Sequence, residues 1–234
     1  MDSGLRVPSI ATRRHLQNLS GPTFTLEERE SLWHLEGFLR DLDSYAAKFY
    51  YAVALFDMAS ENLGRFLQDD RSKVQPSLER CRAWLTLAAR DGAMTVFHFA
   101  KTLDAVKSGV AGSKNISATL DHTQFRSIRR EFREHFPNFE PVRHAVAHSG
   151  ELLKDEKRRS ENTFSGSFDG PGLLIRDSTD VFVSEMLVDR TFSNTFDGKI
   201  ISYDLSWENW RVLDKIVSDL FFLFGNRQNS AETC

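Results

Sequence analysis

The chain has 234 residues, of which 41% are hydrophobic and 27% are charged, and its formal net charge is −3. This length and composition allow a buried core without a metal or a disulfide, and they exclude a wholly disordered or collagen-like protein. No apolar run approaches the roughly 18 residues that a membrane span requires, and the charge confines any nucleic-acid-binding surface to a local patch.

The N-terminal segment, residues 1–24, lacks hydrophobic periodicity and contains two glycines and two prolines. We expect it to be an arm outside the folded domain. Its arginines are followed by no apolar segment, so we expect no secretory signal. The two cysteines, Cys81 and Cys234, are then expected to be reduced thiols of a cytoplasmic protein.

A long row of apolar positions, three or four residues apart, predicts a first helix. Thr25 and Glu28 have the spacing of a capping box at its start, and Gly37 and Gly64 are its expected weak points. The row comprises Leu32, Leu35, Leu39, Leu42, Ala46, Phe49, Val53, Phe56, Ser60, Leu63 and Leu67.

A second row predicts another long helix after a polar break at residues 68–75. Pro76 is expected in its first turn, and Gly109 and Gly112 are expected to end it. The row comprises Leu78, Cys81, Leu85, Ala88, Gly92, Val96, Phe99, Leu103, Val106 and Val110. Two long helices joined by a short loop should pack as an antiparallel pair.

Two shorter helices are predicted next. The third covers residues 117–135 and is stopped by Pro137, and the fourth covers residues 140–149, between Pro141 and Gly150. The apolar face of the third helix comprises Phe125, Ile128 and Phe132.

The period then changes to that of β-structure. Residues 151–161 are highly charged and predict a loop, and residues 162–204 predict strands. Residues 163–170 and 191–198 are identical at six of eight positions, and each copy ends in Asp-Gly, a strong hairpin signal. Two interpretations of the repeat remain open: a duplicated hairpin, or two strands that have similar turn residues by coincidence. A repeat of only eight residues favours the second interpretation.

Further strands are predicted at residues 181–184 and 200–203, and Ser206 begins a last helix that Gly225 ends. Its apolar face comprises Trp210, Leu213, Val217, Leu220 and Phe224. The predicted fold is mainly α: an antiparallel helical bundle with a small antiparallel β insertion before the last helix. Residues 25–234 would form one domain, helical at residues 25–150 and 206–225.

Common catalytic signatures are absent from the sequence, including the P-loop, HExxH, paired CxxC and GxSxG motifs. The fourth predicted helix instead carries Arg143, His144 and His148. Arginine binds phosphate bidentately, and histidine exchanges protons near neutral pH. The N-terminus of a helix, where we expect Arg143, favours anions, and the C-terminus, where we expect His148, favours imidazolium. The group suits phosphodiester chemistry.

Residues Arg143-His144-Ala145-Val146-Ala147-His148 resemble the signature of the HEPN family of helical-bundle proteins, which is Arg, a polar residue, three residues and His. The flanking Phe-Pro-Asn-Phe and Ser-Gly-Glu are also similar to that family. The resemblance implies a motif on a late bundle helix and a metal-independent ribonuclease that acts as a dimer. It equally implies a non-catalytic binding module, or a toxin held by an antitoxin-like partner. It says nothing about the β insertion.

The residues and the resemblance together predict an endoribonuclease that cleaves RNA through its own 2′-hydroxyl, without metal or cofactor. Arg143 would bind the phosphate, His144 would orient the substrate or share the proton, and His148 would be the general acid or base. A homodimer would supply both protonation states at one composite site. The alternative is a non-catalytic module that binds a nucleotide, RNA or a protein, as a toxin–antitoxin or defence component.

Four arginines of the third predicted helix are candidates for contacting the RNA backbone. They are Arg126, Arg129, Arg130 and Arg133. We expect the β insertion to contribute no residue to the Arg143/His148 site, because neither hairpin carries a histidine and only Arg176 and Arg190 are strongly basic there. A metal site is the other reading of His144 and His148, which lie four residues apart on one helix with Glu151 following, but two helical histidines supply only half of such a site and no obvious third ligand is nearby.

Two other pairs share the Arg-x4-His spacing, Arg29 with His34 and Arg130 with His135. Glutamate follows the arginine in both pairs, so we interpret them as ordinary helical faces.

Overall fold

The computed structural model describes residues 25–67, 71–147, 154–170 and 173–225, so the predicted arm lies outside it. This part of the chain is mainly helical and holds two small antiparallel sheets. The helices are α1 (Leu26–Phe66), α2 (Arg71–Gly112), α3 (Lys114–Thr119), α4 (His122–His135), α5 (Phe139–Ala147), α6 (Glu156–Asn162) and α7 (Trp207–Gly225). The strands are β1 (Phe164–Gly170), β2 (Leu173–Val181), β3 (Met186–Val188), β4 (Thr191–Phe196) and β5 (Lys199–Asp204).

The described residues divide into two compact units. The first takes residues 25–47, 99–135 and 211–225, and the second takes the described residues of 48–98 and 136–210. Both long helices, α1 and α2, contribute residues to each unit.

Helix α1 confirms the first predicted helix and its capping box. The backbone N–H of Thr25 donates to Glu28 Oε2 at 3.2 Å, and the N–H of Glu28 donates to Thr25 Oγ1 at 3.3 Å. The helix continues through both glycines without a break. The predicted row is buried only as far as Phe56, after which Ala59 is buried instead of Ser60. A straight helix drifts by about 20° per heptad, which moves the buried face by one position.

Helix α2 confirms the second predicted helix, and nine of its ten row positions are buried, with Leu85 the exception. Its start was predicted wrongly. The helix begins at Arg71, which places Pro76 inside the helix and not in its first turn. Proline has no N–H, so only one intrahelical hydrogen bond is lost so close to the start.

The third predicted helix is two helices. Leu120 is extended between α3 and α4, with φ −81° and ψ 137°. Asp121 then caps α4, because its Oδ1 accepts hydrogen bonds from the N–H groups of Thr123 (2.9 Å) and Gln124 (3.0 Å). The predicted apolar face of α4 is buried as expected.

The charged segment before the strands was predicted as a loop, but it contains helix α6. Asp155 caps this helix by accepting a 2.8 Å hydrogen bond from the N–H of Arg158. The capping bond supports a short helix without an apolar row, which is why periodicity missed it.

The strands form one sheet of β1 and β2 and another in the order β3-β4-β5, all antiparallel. Asp197 and Gly198 make the two-residue turn between β4 and β5, with φ of +50° and +68°. In the other copy of the repeat, Asp169 and Gly170 pair within the sheet with Leu174 and Leu173, so they do not form a turn. This difference favours two strands with similar turn residues.

The predicted strand at residues 181–184 is wrong, since β2 ends at Val181. Val183 instead bonds Thr195: its N–H donates to Thr195 Oγ1 at 3.1 Å, and its carbonyl accepts from the N–H of Thr195 at 2.7 Å. The strand at residues 200–203 is confirmed within β5, and α7 confirms the last helix. Ser206 Oγ caps α7 by accepting from the N–H of Asn209 at 3.2 Å.

Each unit has its own core. In the first unit, Phe99 stacks on Phe132 with ring centroids 5.5 Å apart. In the second, an apolar cluster joins α2, α5, β4 and β5, and this cluster fixes the position of α5. The cluster comprises Ala89, Ala93, Val142, Ala145, Val146, Phe192 and Ile201. Among the described residues, no helix is long and apolar enough to cross a membrane.

Candidate functional site

Helix α5 carries the described part of the predicted motif. Val142, Ala145 and Val146 are buried in the core of the second unit. Arg143 is half-buried and His144 is exposed. Arg143 is the fifth residue of α5, so the expectation that it lies at the helix N-terminus is wrong. Pro141 accounts for this, because it lies in the first turn and the helix begins two residues before it.

The Arg143 guanidinium is held by two side chains. Its Cζ lies 5.1 Å from the centroid of the Phe97 ring, a cation–π contact with α2. Its Nη1 lies 3.3 Å from Nδ1 of His144. A guanidinium can only donate, so Nδ1 of His144 accepts, and the neutral ring carries its proton on Nε2. The contact therefore fixes the tautomer of His144.

The imidazole of His144 stacks on Phe196, with ring centroids 5.9 Å apart and planes 15° from parallel. Phe196 ends β4, directly before the Asp197-Gly198 turn. The β insertion thus places Phe196 beside His144, whereas the expectation that it contributes no residue to the Arg143/His148 site stays a prediction, because His148 lies outside the described residues. That expectation considered only histidine and arginine, whereas the contact is aromatic. One of the insertion's two arginines, Arg190, instead pairs with Asp57.

Neither Phe97 nor Phe196 was identified from the sequence. Phe97 follows the buried Val96 of the second row, and Phe196 belongs to the eight-residue repeat. Both positions are typical of core phenylalanines. Only the packing of α2 and β4 against α5 brings them to the motif.

His148, Gly150 and Glu151 lie outside the described residues, so the geometry of the complete motif stays a prediction. Within the described ranges, no three histidine, cysteine, aspartate or glutamate side chains come together as a set of metal ligands. Two of the three metal candidates, His148 and Glu151, are not among the residues searched.

The predicted RNA-binding arginines come together on α4, in the first unit. They line a surface pocket of about 270 Å³ with Glu134. Arg129 Nη2 lies 2.6 Å from Asp104 Oδ1, and Arg133 Nη2 lies 3.7 Å from the same oxygen. The structure therefore groups these four arginines in one unit and pairs Arg143 with His144 in the other.

The two other Arg-x4-His pairs lie on helical faces. His135 Nδ1 is 3.0 Å from the carbonyl oxygen of Glu131, and Arg130 Nε is 3.7 Å from Glu134 Oε1. The His34 ring meets that of its neighbour Trp33 edge to face. Each histidine has local helical contacts, in keeping with the structural interpretation.

Comparisons with known proteins identify no relative: no family model, no curated protein and no solved structure matches the chain.

Proposed function

We propose that this protein is a metal-independent endoribonuclease of the HEPN type, with Arg143, His144 and His148 at its site. The observation that carries the proposal is the contact between the Arg143 guanidinium and the exposed imidazole of His144 on one helix. A permanent cation beside a proton-bearing imidazole suits the binding of a phosphodiester and of the charge that develops on it.

The reaction would be an internal transesterification of RNA. The 2′-hydroxyl loses its proton to a general base, and its oxygen forms a bond to the adjacent phosphorus. The bond from phosphorus to the 5′-oxygen breaks, and that oxygen takes a proton from a general acid. The products are a 2′,3′-cyclic phosphate and a 5′-hydroxyl, so no water, metal or cofactor is consumed.

Each residue of the motif takes one role in this scheme. Arg143 offsets the negative charge that builds on the phosphoryl oxygens. Nε2–H of His144 donates a hydrogen bond to one of those oxygens, which the tautomer set by Arg143 permits. His148 transfers protons, and because a single imidazole holds one protonation state at a time, two copies at a composite site would supply the base and the acid.

A homodimer is therefore part of the proposal. Sedimentation equilibrium of the full chain at micromolar concentration should give twice the monomer mass. A strict monomer under conditions where RNA is cleaved would contradict the composite site.

A second candidate is a non-catalytic module that binds the phosphate of a nucleotide or RNA. The observation that favours it is the half-buried guanidinium of Arg143, held over Phe97. A cation fixed in this way needs no acid–base partner to bind an anion. Binding of RNA that depends on Arg143, without cleavage of any substrate, would select this candidate.

The test of the enzyme uses an end-labelled single-stranded RNA of mixed sequence, in excess EDTA. We expect cleavage that leaves a 2′,3′-cyclic phosphate, and no cleavage of the same RNA with 2′-O-methyl groups. His148→Ala should lower the rate roughly 10²-fold or more, the usual effect of losing a general acid or base. Arg143→Ala should be comparably harmful.

The control is Arg176→Ala, which removes an exposed arginine from β2 and should leave the rate unchanged. His144→Asn should retain more activity than His144→Ala, because an amide can still donate to a phosphate oxygen. Cleavage that survives His148→Ala, or that disappears with EDTA, would overturn the mechanism.

A further inference from the structure

Four arginines form a stripe along one face of α4. Arg126, Arg129, Arg130 and Arg133 follow the spacing i, i+3, i+4 and i+7, which places them on adjacent turns of one face. The buried face of the same helix, formed by Phe125, Ile128 and Phe132, fixes the rotation of α4 about its axis. The arginine stripe is therefore held at the surface by the packing of the core.

The stripe borders an open pocket of about 270 Å³. Its lining contains four arginines and Glu134, and Asp104 pairs with two of the arginines. Four cations and two carboxylates leave a net charge of +2, which favours the binding of an anion that fits the pocket.

The four arginines are not equivalent. The side chain of Arg129 is only 15% exposed and is paired with Asp104 at 2.6 Å. Those of Arg130 and Arg133 are 73% and 63% exposed, and their carboxylate partners lie 3.7 Å away. Exposed pairs at such distances are weak and yield readily to a stronger anion.

Arg126 differs again. It is exposed, and its Nε donates to the backbone carbonyl of His122 at 3.1 Å. That bond uses one of the five donors of the guanidinium and holds the side chain along the helix. The two Nη groups remain available to bind a phosphate end-on through parallel N–H···O bonds, so this anchoring is compatible with the binding of an anion.

We propose that the stripe binds the phosphodiester backbone of single-stranded RNA through Arg126, Arg130 and Arg133, with Arg129 and Asp104 as a positioning pair. Seven residues of helix span about 10 Å, so Arg126 and Arg133 at the two ends of the stripe can contact different phosphates of one strand. Identifying the polyanion as RNA rests on the proposed function, whereas the binding of phosphates rests on the stripe alone.

The test measures binding of a labelled, uncleavable 2′-O-methyl RNA to the full chain by fluorescence anisotropy at several salt concentrations. Arg126→Ala with Arg133→Ala should weaken binding at least about tenfold. The slope of log K against log salt should fall in magnitude by about 1.4, since each phosphate contact to a single strand contributes about 0.7.

The matched control is Arg65→Ala with Arg159→Ala, which removes the same charge from two exposed helical positions. It should leave the salt slope unchanged. Equal losses in both double variants, or no loss in either, would overturn the proposal. Melting temperatures should match that of the parent protein, because all four side chains are exposed.

A variant that gains charge provides a second measurement. Asp104→Asn releases Arg129 and Arg133 from their shared carboxylate, so RNA binding should tighten several-fold. A purely structural role for this pair predicts unchanged or weaker binding, and either result would overturn the assignment.

The two proposals fail separately. Unchanged RNA binding in the α4 variants, with cleavage lost in His148→Ala, would refute the binding role of the stripe and support the ribonuclease. Weakened RNA binding in the α4 variants, in a protein that cleaves no RNA, would support the binding role of the stripe and refute the ribonuclease.

Discussion

The indole Nε1–H of Trp207 donates a 2.8 Å hydrogen bond to Oδ2 of Asp57. The other carboxylate oxygen of Asp57 pairs with Arg190, whose Nη1 also donates to the backbone carbonyl of Leu205 at 3.1 Å. One half-buried carboxylate on α1 thus holds the start of α7 and the turn before β4 in the second unit. Its partners are a neutral donor and a cation, so both of its oxygens are satisfied.

Asp57→Ala should lower the free energy of unfolding by about 2–4 kcal/mol. The change removes two bonds and leaves the Trp207 N–H and the Arg190 guanidinium partly shielded from water. Asp57→Asn keeps an acceptor for Trp207 and should cost less. Urea unfolding followed by tryptophan fluorescence measures both. Asp41→Ala, at an exposed position of α1, should change stability by less than about 0.5 kcal/mol, and an equal loss there would contradict the assignment.

Gly92→Ala should destabilise the protein although alanine is the better helix former. A Cβ at Gly92 would lie 2.7 Å from Leu205 Cδ1 and 2.8 Å from the Tyr203 hydroxyl oxygen. Overpacking of this kind costs about 1–3 kcal/mol. At Gly37 no atom lies within 4 Å of the built Cβ, so Gly37→Ala should gain up to about 1 kcal/mol. Thermal unfolding of the two variants should therefore shift in opposite directions.

The helices that were predicted well are those whose signal is a sustained apolar row, because burial of that row is what stabilises them. The break between α3 and α4 carries no such signal. Ile116 and Leu120 are four residues apart, and a single five-residue step from Leu120 to Phe125 is the only interruption of the apolar spacing, which by itself is too small to mark the end of a helix. Asp121 caps α4, and aspartate is a residue type that favours helix starts, but within an apparently continuous helical segment it was not recognised as one.

The candidate site was predictable only in part, for a similar reason. Arg143 and His144 are adjacent in the sequence, so a local motif could identify them. Phe97 and Phe196 come from α2 and β4, and both have the sequence pattern of core residues. Their role depends on the packing of three distant segments, which a single sequence does not specify. The position of Arg143 within α5 also differs from expectation, because helix α5 begins before its proline.

Tyr203→Phe should remove a dependence of stability on alkaline pH. The Tyr203 hydroxyl donates to the backbone carbonyl of Ala89, and burial raises the pKa of this hydroxyl well above its ordinary value of about 10. Above pH 10 the unfolded chain releases this proton while the folded chain retains it. The free energy of unfolding therefore keeps its full value below pH 10 and falls as the pH rises further, by up to about 1.4 kcal/mol per pH unit.

Near pH 8 the phenylalanine variant should be less stable by about 1–2 kcal/mol, because the Ala89 carbonyl loses its donor. The difference between the parent protein and the variant should then shrink as the pH rises above 10. Tyr51→Phe is the control, since Tyr51 is 59% exposed. Parallel stability curves for the parent protein and Tyr203→Phe from pH 8 to pH 11 would contradict the raised pKa.

Three pairs in the sequence share the Arg-x4-His spacing, so variants of all three histidines test whether the site is marked by the spacing alone or by the motif around Arg143 and His148. His34→Ala and His135→Ala should leave the rate of RNA cleavage within about twofold of the parent protein, whereas His148→Ala should lower it roughly 10²-fold. We expect this difference because the other two histidines make local structural contacts. His135 contacts the Glu131 carbonyl at 3.0 Å and its helical neighbours, and His34 packs against Trp33. His135→Ala should cost about 1 kcal/mol of stability through that lost bond, so initial rates are compared well below the melting temperature, in EDTA, at one RNA concentration. Similar rate losses at all three histidines would mean that the Arg-x4-His spacing does not mark the site, and the choice of Arg143 and His148 would have to be abandoned.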